Sequence, residues 1–188
     1  MNHNVILEGW NCRLRPVRLD DAEFIVRLRN QDFAKGYIHA TDDSIEKQKE
    51  WLNDYYGRDR DYYWILENIS DGQKVGTYGL YNFVGDMAMP GRMVVLPTAD
   101  FLQAAYSILM REFAFETLGI GRLVGCVVPS NKKVIKFAKL MGGEVIRECP
   151  PEYMHLEKEI HQIWTEVTAE RWPKIKERWC SLLGPKFR

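Results

Sequence analysis

The sequence predicts an α/β (α+β) fold, in which helices flank both faces of a mixed, mostly antiparallel sheet of about seven strands. Segments with the two-residue alternation of strands are interspersed with segments whose apolar residues recur at helical spacing. Glycine and proline mark turns between them. The chain has 188 residues, 46% of them hydrophobic, which is enough to bury a sizeable core. We therefore expect one domain over residues 1–188, with a C-terminal helical extension at about 168–188.

The elements follow one another in the order β-α-α-β-β-β-α-β-α-β-β-α. The first strand ends at Pro16, and Ser44 begins the second helix because its hydroxyl can accept a backbone N–H of the first turn. Thr98 or Asp100 is expected to cap a long helix that Gly119 closes. The predicted strands are 11–17, 62–66, 74–83, 92–96, 123–128, 144–148 and 160–167, and the predicted helices are about 20–30, 44–57, 98–118, 131–142 and 168–183.

Composition limits the class of function. Lys and Arg balance Asp and Glu at 26 each, so no net field recruits a polyanion and nucleic-acid binding is disfavoured. The 4 cysteines lie far apart without metal-ligand spacing, which indicates free thiols in a reducing compartment and no metal site. No apolar run approaches the ~20 residues of a membrane span, and the first residues lack the layout of a signal peptide. We expect a cytoplasmic protein that binds no membrane.

Three stretches together carry a family signal. The first is Arg13-Leu14-Arg15-Pro16-Val17 with Asp20-Asp21. The second joins Arg29-Asn30, Ser44-x-Glu46-x-Gln48-x-x-Trp51-Leu52 and Asp61-Tyr62-Tyr63-Trp64-Ile65. The third joins Ala114-Phe115-Glu116-x-Leu118-Gly119, Pro129-x-Asn131 and Leu140-Met141-Gly142-Gly143. In this order and spacing, over roughly residues 10–172, they resemble the GNAT superfamily of N-acetyltransferases, specifically its ribosomal-protein-alanine and sugar-amine branch.

The resemblance implies acetyl-coenzyme A as co-substrate. In the family two parallel strands splay apart, the first offers its backbone to the pantetheine arm, and the pyrophosphate lies at the N-terminus of the next helix. The positions that match are Met93, Val94 and Val95 for pantetheine, Ala99, Asp100, Phe101, Leu102 and Gln103 for the pyrophosphate cradle, and Asn131 with Lys136 on the opposite lip. A solvated helix face is the alternative for Lys136.

The cradle departs from the family pattern. The family usually carries Arg/Gln-x-x-Gly-x-Gly/Ala there, whereas this chain has Thr98-Ala99-Asp100-Phe101-Leu102. No glycine is left to let the backbone approach the phosphates closely, and Asp100 adds a like charge. The pyrophosphate loop is therefore predicted to be degenerate. A buried helix over 98–118 with an ordinary cap is the alternative.

The catalytic positions depart as well. Where many relatives carry a carboxylate base and a proton-donating tyrosine, this chain has Cys126 and Ala138. The candidates that remain for proton transfer are Tyr81, Tyr106, Glu67 and Cys126. Each has a structural alternative: core or rim packing for the tyrosines, a solvated edge carboxylate for Glu67, and a core thiol for Cys126.

The resemblance implies transfer of acetyl to a primary amine. The acceptor is a small molecule of the amino-sugar type, a polyamine or a protein N-terminus, with Asn30, His39 and Tyr78 as its candidate contacts. His39 is otherwise a surface loop residue and Tyr78 a packing residue. Two alternatives stay open: a catalytically inactive GNAT scaffold with a binding role, and a relative that modifies nucleic-acid bases. A homodimer also stays open.

Overall fold

The computed structural model describes residues 3–38, 42–156 and 162–186, and the side chains of residues 100, 101, 155 and 156 lie outside that description. The strands are β1 (Leu7–Gly9), β2 (Cys12–Pro16), β3 (Tyr62–Asn68), β4 (Lys74–Val84), β5 (Met87–Val95), β6 (Arg122–Val127), β7 (Glu144–Ile146) and β8 (Ile163–Thr168). The α-helices are α1 (Ala22–Arg29), α2 (Ile45–Tyr56), α3 (Gln103–Glu112), α4 (Lys132–Leu140) and α5 (Trp172–Leu183). Within the described ranges, no helix is long and apolar enough to cross a membrane.

The strands form one 8-stranded sheet in the order β1-β2-β3-β4-β5-β6-β8-β7. Neighbouring strands are antiparallel except β5 and β6, which are parallel. The predicted fold class is therefore confirmed, with one strand more than the sequence indicated. The added strand is β1, which pairs with β2 across a turn where Trp10 and Asn11 have φ of 52° and 61°. A glycine-free turn of this kind gives almost no sequence signal.

Helices cover both faces of the sheet because successive strand side chains point to opposite sides. Tyr63 and Ile65 of β3 pack with α1 and α2, where Leu52 is fully buried. Trp64 and Leu66, the alternate residues, pack on the other face in the cluster that contains most of α3 and parts of α4 and α5. α1 and α2 therefore lie on one face, and α3, α4 and α5 on the other.

The Ser44 cap is confirmed, since its hydroxyl accepts the Lys47 N–H at 3.2 Å. The prediction for residues 98–118 is wrong in detail. A 3-10 stretch, Pro97–Leu102, directly follows β5, and α3 begins only at Gln103 without a side-chain cap. Thr98 is inside the 3-10 stretch and cannot cap the helix. A π-helical turn, Phe113–Thr117, then ends the segment.

Candidate active site at the strand fork

The parallel strands β5 and β6 separate soon after they begin. They pair at Met87 with Arg122 and at Ala88 with Leu123, and the paired register ends there. Pro90 follows on β5 and has no N–H with which to continue the ladder. Arg92, with φ of 51°, lies in a β-bulge against β4, and such a bulge bends the strand. We call the gap between residues 89–95 of β5 and 124–127 of β6 the fork.

The register of β4 against β5 shows which backbone groups face the fork. The Leu96 N–H donates to the Val75 carbonyl at 2.8 Å, and Val95 and Val94 lie opposite Gly76 and Thr77. Because hydrogen-bonded and non-hydrogen-bonded pairs alternate in antiparallel strands, Val95 turns its N–H and C=O away from β4 and towards the fork. Val94 instead bonds to Thr77, so its backbone is not available there.

Met93 also faces the fork through its backbone. The Arg92 carbonyl points towards β4, where it accepts the Thr77 hydroxyl at 2.8 Å. In a trans peptide the next N–H points the opposite way, so the Met93 N–H points into the fork. Of the three residues predicted to meet pantetheine, Met93 and Val95 have the required orientation and Val94 does not.

Tyr81 lies beside the fork on the α1 and α2 side. A Cβ atom built on Gly91 would lie 2.3 Å from its hydroxyl oxygen, so the phenol rests directly on the Gly91 backbone and needs glycine there. The side chain is half-buried against a cluster that contains Met87, Met89 and Tyr153. Burial raises the pKa of Tyr81, although the positive charge of Arg92 opposes this shift. The hydroxyl therefore stays protonated and can donate.

The Arg92 side chain lies beneath Tyr81 and is fixed by several contacts. Its guanidinium binds both carboxylate oxygens of Asp61, at 2.5 and 2.9 Å. It also lies 4.0 Å from the centre of the Tyr81 ring and 5.4 Å from the ring centres of Trp51 and Tyr63. An ion pair and three aromatic faces therefore fix one arginine beside the Tyr81 hydroxyl. The sequence offered no signal for this cluster, because β3, β4, β5 and α2 each supply part of it.

The other catalytic candidates are distributed differently. Cys126 is on β6 opposite Trp164 and packs, half-buried, in the same cluster as Tyr81. Tyr106 is fully buried on α3, and its hydroxyl donates to the Glu67 carbonyl at 2.9 Å. Tyr81 and Cys126 thus lie at the fork, and Tyr106 does not.

Glu67 lies near the C-terminal end of β3, between Arg13 of β2 and Lys74 of β4. Its carboxylate accepts the Arg15 Nε at 2.7 Å, and the residue is 9% exposed. The alternative of a solvated edge carboxylate is therefore wrong, since Glu67 belongs to a buried ion-pair network. In that network, hydrogen bonds from Arg15 and Lys74 hold the pKa of Asp21 below its usual value although burial opposes them.

The predicted acceptor contacts do not come together. Asn30 ends α1, and its side-chain nitrogen is buried without a hydrogen-bond partner in the described part of the chain. Tyr78 points to the α3 face and is buried. His39 lies outside the described residues. Asn30 and Tyr78 are thus on opposite faces of the sheet.

At the start of the predicted pyrophosphate cradle, the backbone N–H of Ala99 is already used in a hydrogen bond within the protein. The Ala99 N–H donates to the Leu96 carbonyl at 2.9 Å, and Ala99 is buried. Leu102 and Gln103 mark the junction of the 3-10 stretch and α3. Asp100 and Phe101 lie in the 3-10 stretch, and their side chains are outside the description.

Asn131 and Lys136 lie on the segment that follows β6. The Asn131 side chain caps α4 by accepting the Val134 N–H at 3.2 Å, which leaves its amide nitrogen as a donor. Lys136 is exposed on the same helix. The predicted start of a helix at Asn131 is confirmed.

A mixed sheet whose central parallel strands open beside a half-buried tyrosine is an acetyltransferase-type α/β fold. Residues 11–144 match the family model of the acetyltransferase (GNAT) domain. The chain belongs to this family. No curated protein gives a significant match.

Solved structures agree with this assignment. Apo FdhC, a nucleotide-linked sugar GNAT, is 27% identical with a TM-score of 0.81, covering 97% of this chain and 100% of its own. A GCN5-related N-acetyltransferase from Brucella melitensis is 16% identical with a TM-score of 0.80, covering 97% and 87%. A spermidine N-acetyltransferase mutant from Vibrio cholerae is 13% identical with a TM-score of 0.69, covering 87% and 96%. The last two show the shared fold alone.

Proposed function

We propose that this protein transfers the acetyl group of acetyl-coenzyme A to the primary amine of a small molecule of the amino-sugar type. The observation that carries the proposal is the fork, where the pairing of β5 with β6 ends at Ala88 and the Val95 backbone faces the gap. The 27% identity to a nucleotide-linked sugar GNAT over almost the whole chain supports the choice of acceptor.

The residues of the fork fit the pantetheine arm of the coenzyme. Pantetheine carries two amides, and the Met93 and Val95 backbones offer groups of matching polarity along one edge. The pyrophosphate would lie at the start of α3 against the backbone of residues 100–103, where the helix dipole favours an anion. Lys136 and the Asn131 amide would meet the coenzyme from the opposite lip. The missing cradle glycines predict weaker phosphate contacts than the family pattern gives.

The chemistry needs one nucleophile and one proton donor. The amine nitrogen attacks the thioester carbonyl carbon, the C–N bond forms, and the C–S bond breaks with its electron pair on sulfur. The Tyr81 hydroxyl donates its proton to the sulfur, and its raised pKa keeps that proton in place beforehand. The nitrogen loses its extra proton to water, and Tyr81 is reprotonated from solvent. Positioning of the two substrates supplies much of the remaining rate.

Titration calorimetry with acetyl-coenzyme A tests the proposal. We expect saturable binding to the wild-type protein and its loss in Val95→Pro, which removes the N–H that faces the fork without removing a β4 hydrogen bond. Val95→Ile keeps the amide and is the matched control, with circular dichroism to check that each variant is folded. Absence of binding to folded wild-type protein would contradict the proposal and favour the inactive-scaffold hypothesis.

A further inference from the structure

A cleft of about 430 Å³ opens at the end of the sheet where β3 begins and β4 ends. Its lining includes three arginines, two aspartates and one aromatic residue: Arg58, Arg60, Arg92, Asp59, Asp61 and Phe83. We call it the guanidinium cleft.

The lining of the guanidinium cleft has more positive than negative side chains. Asp61 is engaged by Arg92 through both oxygens and by Arg58 at 3.6 Å, so its charge is shared between two arginines. Asp59 and Arg60 add one charge of each sign, and both are exposed. The cleft therefore carries a net positive charge, and its guanidinium groups supply more donors than its carboxylates can accept.

The backbone around the cleft is strained. Five non-glycine residues of the described chain have a left-handed backbone, and Arg60, Asn82 and Arg92 are three of them, with φ of 48°, 52° and 51°. All three line the guanidinium cleft. Arginine rarely adopts this conformation, and such residues concentrate at binding and catalytic sites. The fold thus holds two arginines in unfavourable backbone conformations at one place.

Aromatic rings hold the arginine side chains in position. Arg58 lies 4.9 Å from the centre of the Trp51 ring, and Arg60 lies 4.5 Å from that of Phe83. A guanidinium stacked on a ring keeps its planar edge for a bidentate contact with a phosphate. The half-buried Phe83 also offers apolar surface beside that edge.

The cleft is connected to the fork through one residue. Arg92 lines the cleft and lies over the Tyr81 ring at 4.0 Å, and the Tyr81 hydroxyl touches Gly91. A molecule with its anionic group in the cleft would therefore extend along Arg92 towards Tyr81.

We propose that the guanidinium cleft binds a phosphate or diphosphate carried by the amine acceptor, as in an amino sugar linked to a nucleoside diphosphate. Arg58 and Arg60 bind the phosphate oxygens, and Arg92 with Asp61 forms the floor. The inference rests on the proposed function only in assuming that the amine of the bound molecule is acetylated at the fork. The anion site itself can be tested by binding alone.

The test is titration calorimetry of uridine diphosphate into protein saturated with coenzyme A, because uridine diphosphate could otherwise bind where the coenzyme's own diphosphate lies. We expect uridine diphosphate to bind and uridine to show no binding over the same range. Arg58→Gln and Arg60→Gln should each weaken the diphosphate about tenfold, as for loss of a charge-assisted hydrogen bond. Arg27→Gln is the matched control, since Arg27 is an exposed arginine on α1 paired with Glu23, and its affinity should equal that of the wild type.

Three results would overturn the inference: equal affinity for uridine and uridine diphosphate, equal loss in the Arg27 control, or loss of diphosphate binding once coenzyme A saturates the protein. The last result would assign the diphosphate to the coenzyme cradle. If acetyl-coenzyme A binds and the diphosphate does not, this inference fails and the proposed function stands. If the coenzyme does not bind while the diphosphate binds in an Arg60-dependent way, the proposed function fails and the anion site stands.

Discussion

The guanidinium of Arg92 and the carboxylate of Asp61 form a two-point ion pair, 2.5 and 2.9 Å long, between the bulge of β5 and the start of β3. Their side chains are 16% and 9% exposed, so the pair is mostly removed from water. Burial alone would lower the pKa of Arg92, but the hydrogen bonds that its guanidinium donates to Asp61 keep that pKa above its usual value. The bulge that bends β5 is thereby tied to a strand two places away in the sheet.

Asp61→Asn should destabilise the protein by about 2–4 kcal/mol, because it leaves a buried guanidinium without its counter-charge. Urea unfolding followed by fluorescence measures the change. Glu23→Gln, at an exposed ion pair on α1, is the control and should change stability by less than about 0.5 kcal/mol. Equal effects of the two substitutions would show that the Arg92–Asp61 pair has no special energetic role.

Tyr81→Phe should lower kcat by about 10- to 100-fold, because it removes the donor that protonates the leaving sulfur. KM for acetyl-coenzyme A should change little, and the melting temperature should stay near that of the wild type because the ring remains. Steady-state kinetics across pH provides the measurement.

Tyr106→Phe is the matched control for Tyr81→Phe. Its hydroxyl donates to the buried Glu67 carbonyl, so its loss should cost about 1–3 kcal/mol of stability with kcat unchanged. A Tyr81→Phe enzyme with full kcat would remove Tyr81 from the mechanism.

Protein stability should fall as pH drops from about 6.5 towards 4, because of His3. Burial lowers the pKa of His3 to about 4. Its Nδ1 lies 3.2 Å from the Val5 N–H, and its Nε2 lies 3.3 Å from the Tyr63 carbonyl oxygen, an arrangement that suits the neutral ring. The folded pKa is below the unfolded value, so between these pH values the unfolded chain binds the extra proton and gains stability relative to the folded one. The loss should be roughly 2 kcal/mol.

Urea unfolding at several pH values, on wild type and His3→Gln, checks this. The wild type should lose more stability than the variant between pH 6.5 and 4. Identical slopes would mean that His3 titrates equally in both states.

Arg111→Met should leave stability unchanged or raise it by about 1 kcal/mol. Arg111 is 8% exposed on α3 and donates to the Met141 carbonyl, but its Nε has no partner within the described ranges. Burial lowers its pKa, which shows that the charged form is disfavoured there. Thermal unfolding of the two proteins tests the point, and a loss of more than about 2 kcal/mol would show that the charge is stabilising.

The features that the sequence predicted well depend on local chemistry. Ser44 caps α2 because its hydroxyl reaches an amide three residues away. β5 was wrongly predicted to begin at residue 92, after a turn at Gly85 and Asp86. It begins at Met87, since Pro90 stands where the parallel ladder ends and costs no hydrogen bond there.

The site was less predictable because its contacts join distant segments. Asp61 and Arg92 are 31 residues apart, and the left-handed backbone of Arg92, which no local signal announces, accompanies their contact. Tyr81 was one candidate among four, and what separates it from Tyr106 is its position against Gly91. A family resemblance is enough to locate strands and helices. Which side chains meet at the fork depends on the β-bulge at Arg92, and the resemblance does not predict it.

The most direct test of acetyl transfer at the fork is release of free thiol from acetyl-coenzyme A, with and without an amino sugar nucleotide, followed by mass spectrometry of the amine. We predict amine-dependent thiol release with one acetyl group on the acceptor nitrogen, and a large reduction of both in Tyr81→Phe. Thiol release that is independent of the amine, or an acceptor that stays unmodified although acetyl-coenzyme A binds, would contradict the account.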